Sequence, residues 1–263
     1  MSKYKGKKAL VVGFGLSGVA SARYLTKQGA KVIITDMKQK SELMDSVNAV
    51  VDLKLEMELG RHNNKTFHTV EMIVVSPGVP LNIKPIEEAR EKLIPITSEI
   101  ELSIAAIKEP IIAITGTNGK TTTTAIIGEM FSADGKTPFV GGNIGKPLLQ
   151  YVTDSQKSDV VVAELSSFQL ELSEKLVPAV AVFTNLEEDH LDRYSDMSAY
   201  IAAKKKLLQA CDRNTFVVLN YDDPIVRGFA SECNGKILWF TKQDPIQIGG
   251  EFAENFCGAY LHL

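Results

Sequence analysis

The 263-residue sequence predicts an α/β protein built on parallel sheets. Short runs of β-branched and other apolar residues recur along the chain, and such runs are typical of strands buried on both faces of a parallel sheet. Two of these runs, residues 8–12 and 111–114, lead into glycine-rich loops that predicted helices follow. In that order of elements, the loop and the start of the helix can hold a phosphate group.

Composition limits the class of protein. The chain is 44% hydrophobic and 23% charged, as in average globular proteins, and its net charge of −3 gives no basic footprint for nucleic acid. Cys211, Cys233 and Cys257 are far apart, so we expect buried free thiols in a reducing compartment. Since no apolar run approaches ~18 residues and no signal-peptide cleavage site follows the first one, we expect a cytoplasmic protein.

The N-terminal part predicts a Rossmann-like unit. The strand at 8–12 runs into Gly13–Gly18, a full G-x-G-x-x-G, then a helix over about 19–28 and a strand that ends in Asp36. In dinucleotide-binding proteins such glycines let the backbone approach a diphosphate, and the later acid binds a ribose. An NAD-dependent oxidoreductase is therefore one alternative, although the glycines suit the diphosphate of any nucleotide.

The first predicted domain ends before a second glycine loop. An apolar strand at 72–75 runs into the rigid turn at 76–80, at the strand edge where open α/β sheets bind ligands. A further helix is expected from Glu99 to about residue 107. We place the boundary near 95–110, which divides the chain into domains 1–100 and 101–263.

The second domain opens with a P-loop variant, PIIAITGTNGKTTTT at residues 110–124. Backbone N–H groups of such a loop surround phosphates, Lys120 is expected to reach the β- and γ-phosphates, and the Thr121 hydroxyl to lie on Mg²⁺. The standard pattern has a glycine where this chain has Ile114. The domain is thus predicted to be P-loop NTPase-like.

Later strands end in residues suited to metal chemistry. Glu164 ends the apolar strand at 159–163 and is placed to help hold Mg²⁺, with a helix-capping acid as the alternative. His190 follows another strand and lies among acids, which favours a metal or phosphate contact. Asn143, after two glycines, suits close approach of a ligand, although a plain turn would look the same.

These motifs together resemble the Mur ligases of peptidoglycan synthesis. They are TGTNGKTT, GGNIG, ELSSFQL, and Asn-x₄-His-Leu-Asp-Arg followed by Tyr200-x-x-Ala203-Lys204. GFGLSG, VVSPGVP and ITSEIEL are most like the members that add D-glutamate to UDP-N-acetylmuramoyl-L-alanine. The resemblance covers essentially the whole chain. It implies ATP-dependent amide formation through an acyl phosphate, by a monomer with those small-molecule substrates and no nucleic acid or membrane partner.

The resemblance also implies roles for matched positions. ATP would be bound by Gly116, Thr117, Asn118, Gly119, Lys120, Thr121 and Thr122. Two Mg²⁺ ions would be held by Thr121, Glu164, His190 and Lys204, with Lys204 carbamylated so that it acts like a carboxylate. The catalytic residues would be Lys120, His190 and Lys204. The UDP-substrate would be bound by Gly15, Leu16, Ser17, Asp36, Met37, Lys38, Gly78 and Asn143.

One departure from the family pattern bears on activity. Family members carry a C-terminal domain that binds the amino acid, preceded by a Gly-x-His-Asn-x-x-Asn segment, and the 263 residues contain neither. We therefore expect the chain alone to bind nucleotide weakly and to ligate little. A non-catalytic nucleotide- or UDP-sugar-binding remnant is an alternative, as is a ligase that adds glutamate to folate, although the latter is not expected to have a preceding Rossmann-like unit.

Overall fold

The computed structural model describes residues 2–155, 157–248 and 257–260. The strands are β1 (Lys8–Val12), β2 (Lys31–Asp36), β3 (Glu56–Leu59), β4 (Met72–Val75), β5 (Ile96–Ser98), β6 (Ile111–Thr115), β7 (Pro138–Gly142), β8 (Val160–Glu164), β9 (Val180–Phe183), β10 (Phe216–Asn220), β11 (Lys236–Thr241) and β12 (Gly258–Tyr260). The helices are α1 (Leu16–Lys27), α2 (Met44–Asn48), α3 (Asn64–Phe67), α4 (Lys84–Glu91), α5 (Glu99–Ile104), α6 (Lys120–Ala133), α7 (Leu148–Asp154), α8 (Ser167–Leu170), α9 (Met197–Gln209), α10 (Pro224–Gly228) and α11 (Pro245–Ile248), with short 3₁₀ turns at Lys40–Glu42 and Phe229–Glu232.

The chain forms two compact units. The first contains Met1–Ile107 and Lys146–Gln156, and the second contains Lys108–Gly145 and Lys157–Leu263. The strand order is β3-β2-β1-β4-β5 in the first unit and β12-β11-β10-β9-β6-β8-β7 in the second. The paired strands are parallel in both, which confirms the predicted α/β class.

In the first unit the central strand β1 is buried along Ala9–Val12, and α1 packs on it. The helix can begin so close to the strand only because Gly18 has no side chain. A Cβ at Gly18 would lie 2.1 Å from the carbonyl oxygen of Gly13, well inside van der Waals contact. Gly18 of the G-x-G-x-x-G motif therefore serves close packing of helix on strand, a role beyond the diphosphate contact predicted for these glycines.

Helix α7 belongs to the first unit although the strands on either side of it, β7 and β8, belong to the second. Its Leu149 lies in the hydrophobic core of the first unit, and Lys27 of α1 donates a 2.6 Å hydrogen bond to the Thr153 carbonyl near its C-terminal end. The first break between the units falls after residue 107, and residues 146–156 lie with the first unit.

In the second unit β6 is central, between β8 and β9. Its register places Ile114 beside Glu164 and Thr115 beside Phe183, so the carboxyl ends of all three strands meet at one edge. The loops that carry the predicted ATP and metal residues leave from this edge.

Two expectations about the whole chain can be compared with the fold. Across the described residues, no helix has the length and apolar character needed to cross a membrane. The three cysteines are free, as predicted, and Cys211 is buried. Cys257 is exposed, however, so the expectation that all three are buried is wrong.

Candidate phosphate and metal site

The loop between β6 and α6 has the shape of a phosphate cradle. Gly116 and Gly119 have φ angles of 144° and 79°, which residues other than glycine rarely adopt. Gly119 is the residue that precedes α6. A Cβ at Gly116 would lie 1.9 Å from the Thr184 hydroxyl oxygen. The conformation of this loop therefore requires glycine at residue 116. The loop leads into the N-terminus of α6, where the helix dipole is positive and the first N–H groups have no partner within the helix.

Lys120 lies within this loop, where its ammonium group donates a 2.6 Å hydrogen bond to the carbonyl of Thr117. The side chain is half-buried. A flexible amine held by a single loop carbonyl can exchange that partner for a phosphate oxygen, which is the role expected of it.

Two of the predicted magnesium ligands are hydrogen-bonded to each other. The Thr121 hydroxyl donates to Glu164 over 2.8 Å, and the Asn143 amide donates to the other carboxylate oxygen over 2.8 Å. Glu164 is only 1% exposed. Its oxygens and the Thr121 hydroxyl are hard donors of the kind that Mg²⁺ prefers, so this pair fits the ion. Among the described residues, no group of three or more His, Cys, Asp or Glu side chains forms a metal cluster.

Lys204 is buried beneath the phosphate loop. It is 1% exposed, its amine donates a 2.7 Å hydrogen bond to the Gly116 carbonyl, and it lies 4.8 Å from the centre of the Tyr200 ring. Burial, and then the charge of Lys120, lower the pKa of Lys204 to about 7.

His190 is exposed and lies next to Tyr200. Its ring centre is 6.2 Å from that of Tyr200 and 4.9 Å from that of Phe168, and its Nε2 is 3.5 Å from Asp189. Its φ of 54° is unusual for a residue other than glycine and turns the chain at this point. The Tyr200 ring thus has both His190 and Lys204 as neighbours.

The predicted UDP-substrate residues of the first unit collect at the carboxyl ends of β1 and β2. Asp36 accepts hydrogen bonds from the backbone N–H groups of Phe14 at 2.7 Å and Lys38 at 2.9 Å. The acid therefore ties the glycine loop to the end of β2. Leu16 and Met37 are 72% and 61% exposed, which leaves two large apolar side chains open at this edge.

The remaining predicted substrate residues divide between the units. Gly15, Ser17 and Gly78 lie in the first unit. Among the described residues, no atom outside the adjoining residues lies within 4 Å of a Cβ built on Gly15 or Gly78. Asn143 lies in the second unit, where its side-chain amide donates a hydrogen bond to Glu164.

Comparison with known proteins identifies the family of this chain. The Mur ligase middle domain matches residues 114–255, and the N-terminal domain of MurD-like Mur ligases matches residues 7–98. The chain belongs to the Mur ligase family. The family membership that the sequence motifs predicted is thereby confirmed.

Relatives named UDP-N-acetylmuramoylalanine–D-glutamate ligase are similar over almost the whole chain. The protein of Geotalea daltonii is 49% identical over 93% of this chain and 54% of its own length. That of Desulfatibacillum aliphaticivorans is 44% identical over 98% of this chain and 58% of its own length. The chain thus spans about half the length of these Mur ligases.

Solved structures share the fold. The UDP-N-acetylmuramate:L-alanyl-γ-D-glutamyl-meso-diaminopimelate ligase of Neisseria meningitides has a TM-score of 0.61 at 17% identity, and the match covers 89% of this chain and 78% of that one. The UDP-N-acetylmuramate–alanine ligase of Thermotoga maritima has a TM-score of 0.54 at 23% identity, with 90% and 53% covered. Both matches bear on architecture alone.

Sequence reasoning missed two residues at the phosphate loop. Tyr200, used only to fix the register of Lys204, approaches the Thr117 hydroxyl at 3.1 Å through its own hydroxyl. Asn185, noted only as the start of the histidine segment, contacts the backbone of the loop. The signal for Asn185 was its position directly after a strand, at the same edge as the P-loop.

Proposed function

We propose that this chain supplies the UDP-substrate and ATP units of a ligase that joins D-glutamate to UDP-N-acetylmuramoyl-L-alanine. The observation that carries the proposal is the convergence of Lys120, Thr121 and Glu164 at one sheet edge, at the mouth of a glycine loop. The names of relatives 39–49% identical to the chain support the substrate assignment.

The substrate carboxylate takes the γ-phosphoryl group of ATP, and the D-glutamate amine then displaces phosphate from the acyl phosphate. Negative charge that builds on the phosphoryl oxygens is stabilised by Lys120 and by the N–H groups at the start of α6. Mg²⁺ held by Thr121 and Glu164 would neutralise the same charge when bound. Asn143 orients the Glu164 carboxylate through its hydrogen bond.

A second Mg²⁺ held by His190 and a carbamylated Lys204 is the finer part of the proposal. Carbamylation needs an unprotonated amine, and a buried lysine with a pKa of about 7 has one in a substantial fraction of molecules at neutral pH. The side chain already contacts the loop at Gly116, so a carbamate there would lie beside the nucleotide. A ¹³C NMR signal from labelled bicarbonate, present in the wild-type chain and lost in Lys204→Arg, tests this point.

The first unit would bind the UDP portion. Exposed Leu16 and Met37 are suited to the faces of a nucleobase, and the glycine loop leaves room for a diphosphate close to the backbone. Asp36, which already accepts two backbone hydrogen bonds, retains acceptor capacity for a ribose or base donor.

Calorimetric titration of the 263-residue chain tests the proposal. We expect Mg²⁺-dependent ATP binding, and tighter binding of UDP-N-acetylmuramoyl-L-alanine than of UDP-N-acetylmuramate or NADH. Substitution Lys120→Met should weaken ATP binding and leave binding of the UDP-substrate unchanged. Preference for NADH would instead refute the assignment of the UDP-substrate to the first unit. D-Glutamate is tested separately, as phosphate release that requires D- and not L-glutamate in a reaction with both other substrates.

A further inference from the structure

Asn185, two residues after the end of β9, contacts the phosphate loop at three points. The side-chain oxygen accepts the Asn118 N–H at 2.8 Å, and the side-chain amide donates to the Asn118 carbonyl at 3.1 Å. The Asn185 backbone carbonyl accepts the Thr117 N–H at 2.8 Å. One residue therefore pairs with both polar groups of the Asn118 backbone, as a neighbouring strand would.

This pairing divides the loop into two parts. The N–H groups of Thr117 and Asn118 are used by Asn185 and do not face a ligand. The N–H groups of residues 119–122 have no partners within α6, because the first groups of a helix never do. The first bond within the helix is from Thr123 to Gly119, at 3.0 Å. Phosphate donors are thus concentrated at the second half of the loop.

The segment that holds the loop is itself fixed. The Thr184 hydroxyl donates to the Asn118 carbonyl at 2.7 Å, and Asn220, at the end of β10, donates to the Thr184 carbonyl at 2.8 Å. The Asn118 side chain donates to Glu187 at 3.0 Å. The loop is therefore supported from two neighbouring strands rather than by its own glycines alone.

We propose that Asn185 is a positioning residue for nucleotide binding: its side-chain amide holds Asn118, beside the contact of its backbone carbonyl with Thr117, so that the N–H groups of residues 119–122 are presented together to the phosphates. The inference rests on the proposed function, since it assumes that the loop binds a nucleotide. Asn185 does not touch the phosphate in this arrangement. It acts by keeping the loop in its binding shape before ATP arrives, which lowers the ordering cost of binding.

Two substitutions test the role, with affinities for MgATP and for tripolyphosphate as the readout. Asn185→Ala removes the side-chain pairing, and Asn185→Asp replaces the amide donor by an oxygen that repels the Asn118 carbonyl. For both we expect a rise of tenfold or more in Kd for either phosphate ligand, with the Kd for the UDP-substrate of the first unit unchanged. Asn234→Asp, an exposed change of the same kind before β11, is the matched control and should leave all three values unchanged.

A pH series separates positioning from a general loss of structure. Protonation of the carboxyl introduced by Asn185→Asp restores a donor of nearly the original shape. The ratio of its Kd to the wild-type Kd should therefore decrease as the pH falls from 8 toward the ordinary aspartate pKa of about 3.9. Glu187 and Lys120, the charged groups that contact this loop, are present in both proteins.

Amide hydrogen exchange of the wild-type chain tests the division of the loop without any substitution. The Thr117 and Asn118 amides should be protected with and without MgATP, whereas those of residues 119–122 should gain protection only with it. Rapid exchange at Thr117 and Asn118 in the free chain would overturn the inference. So would MgATP affinity within threefold of wild type in a folded Asn185→Ala protein. A wild-type chain that binds no MgATP would instead refute the proposed function.

Discussion

Glu99 gives the sharpest test of how the first unit is held together. Its carboxylate is fully buried at the start of α5, where one oxygen accepts the Leu149 N–H at 2.6 Å and the Ser103 hydroxyl at 3.1 Å. Among the described residues, the other oxygen has no hydrogen-bond partner. Burial raises the pKa of Glu99 from 4.5 to about 7, although the bonds from Leu149 and Ser103 act in the opposite direction.

This elevated pKa sets the sign and size of a stability change. Between pH 4.5 and pH 7 the unfolded chain loses the Glu99 proton while the folded chain keeps it, so the contribution of Glu99 to stability is greatest below pH 4.5 and falls as the pH rises. A pKa difference of about 2.5 at 1.36 kcal/mol per pH unit corresponds to about 3 kcal/mol lost by pH 8.

Substitution Glu99→Gln removes this titration while keeping the acceptor oxygen. The variant leaves a buried amide donor, which costs about 1–3 kcal/mol at every pH. The difference in unfolding free energy between wild type and variant should therefore change by about 3 kcal/mol between pH 4.5 and pH 8, in favour of the variant at high pH.

The assay must report on the first unit alone, because two units need not unfold together. Hydrogen exchange of peptides from β1 and β4, measured in increasing urea at each pH, gives that unit's free energy. Glu91→Gln makes the same chemical change on the exposed surface of α4 and serves as the control. A difference between wild type and Glu99→Gln that stays constant within about 1 kcal/mol over the pH range would refute the reasoning.

Three further substitutions follow from close contacts and ligand chemistry. Gly116→Ala should destabilise the second unit by about 2 kcal/mol or more and abolish ATP binding, because the φ of Gly116 is 144° and the new methyl would meet Thr184. Urea unfolding measures the loss of stability, and calorimetry measures the loss of binding. Gly18→Ala should cost the first unit a similar amount, about 2 kcal/mol, and weaken UDP-substrate binding without changing ATP binding, since the clash is with Gly13. Glu164→Gln should raise the Mg²⁺ concentration needed for ATP binding about tenfold, or about 1.4 kcal/mol, as measured by Mg²⁺ titration at fixed ATP.

Much of the architecture was predictable because local signals agreed. The apolar runs gave the central strands, and the two glycine motifs marked where a helix must start against a strand. The approach of Thr121 to Glu164 also follows from the sequence. Glu164 ends one parallel strand and Thr121 follows the loop after another, and the carboxyl ends of parallel strands share one edge of the sheet.

The rest depended on the order of strands and on which unit a helix joins. Asn185 can pair with Asn118 only because β9 lies beside β6, and nothing in the local sequence specifies that neighbour. Helix α7 has an ordinary apolar pattern, and the pattern does not show that Leu149 packs in the first unit rather than in the second, where its flanking strands lie. The burial of Glu99 also depends on the packing of α7 in the first unit, because Leu149 of α7 donates to its carboxylate. The local sequence shows only an acid at the start of a helix and does not predict that burial.

The two lysines of the phosphate site differ in what they can do when a nucleotide binds. Both donate to loop carbonyls, Lys120 to Thr117 and Lys204 to Gly116. Exchange of a neutral carbonyl for a charged phosphate is favourable, because the ammonium group then gains the attraction of an opposite charge in addition to the hydrogen bond. Half-buried Lys120 can make that exchange by rotating its side chain. Lys204 is closed in under Tyr200 and the loop, so it supports the loop from below and gains a ligand role only if its amine is chemically converted.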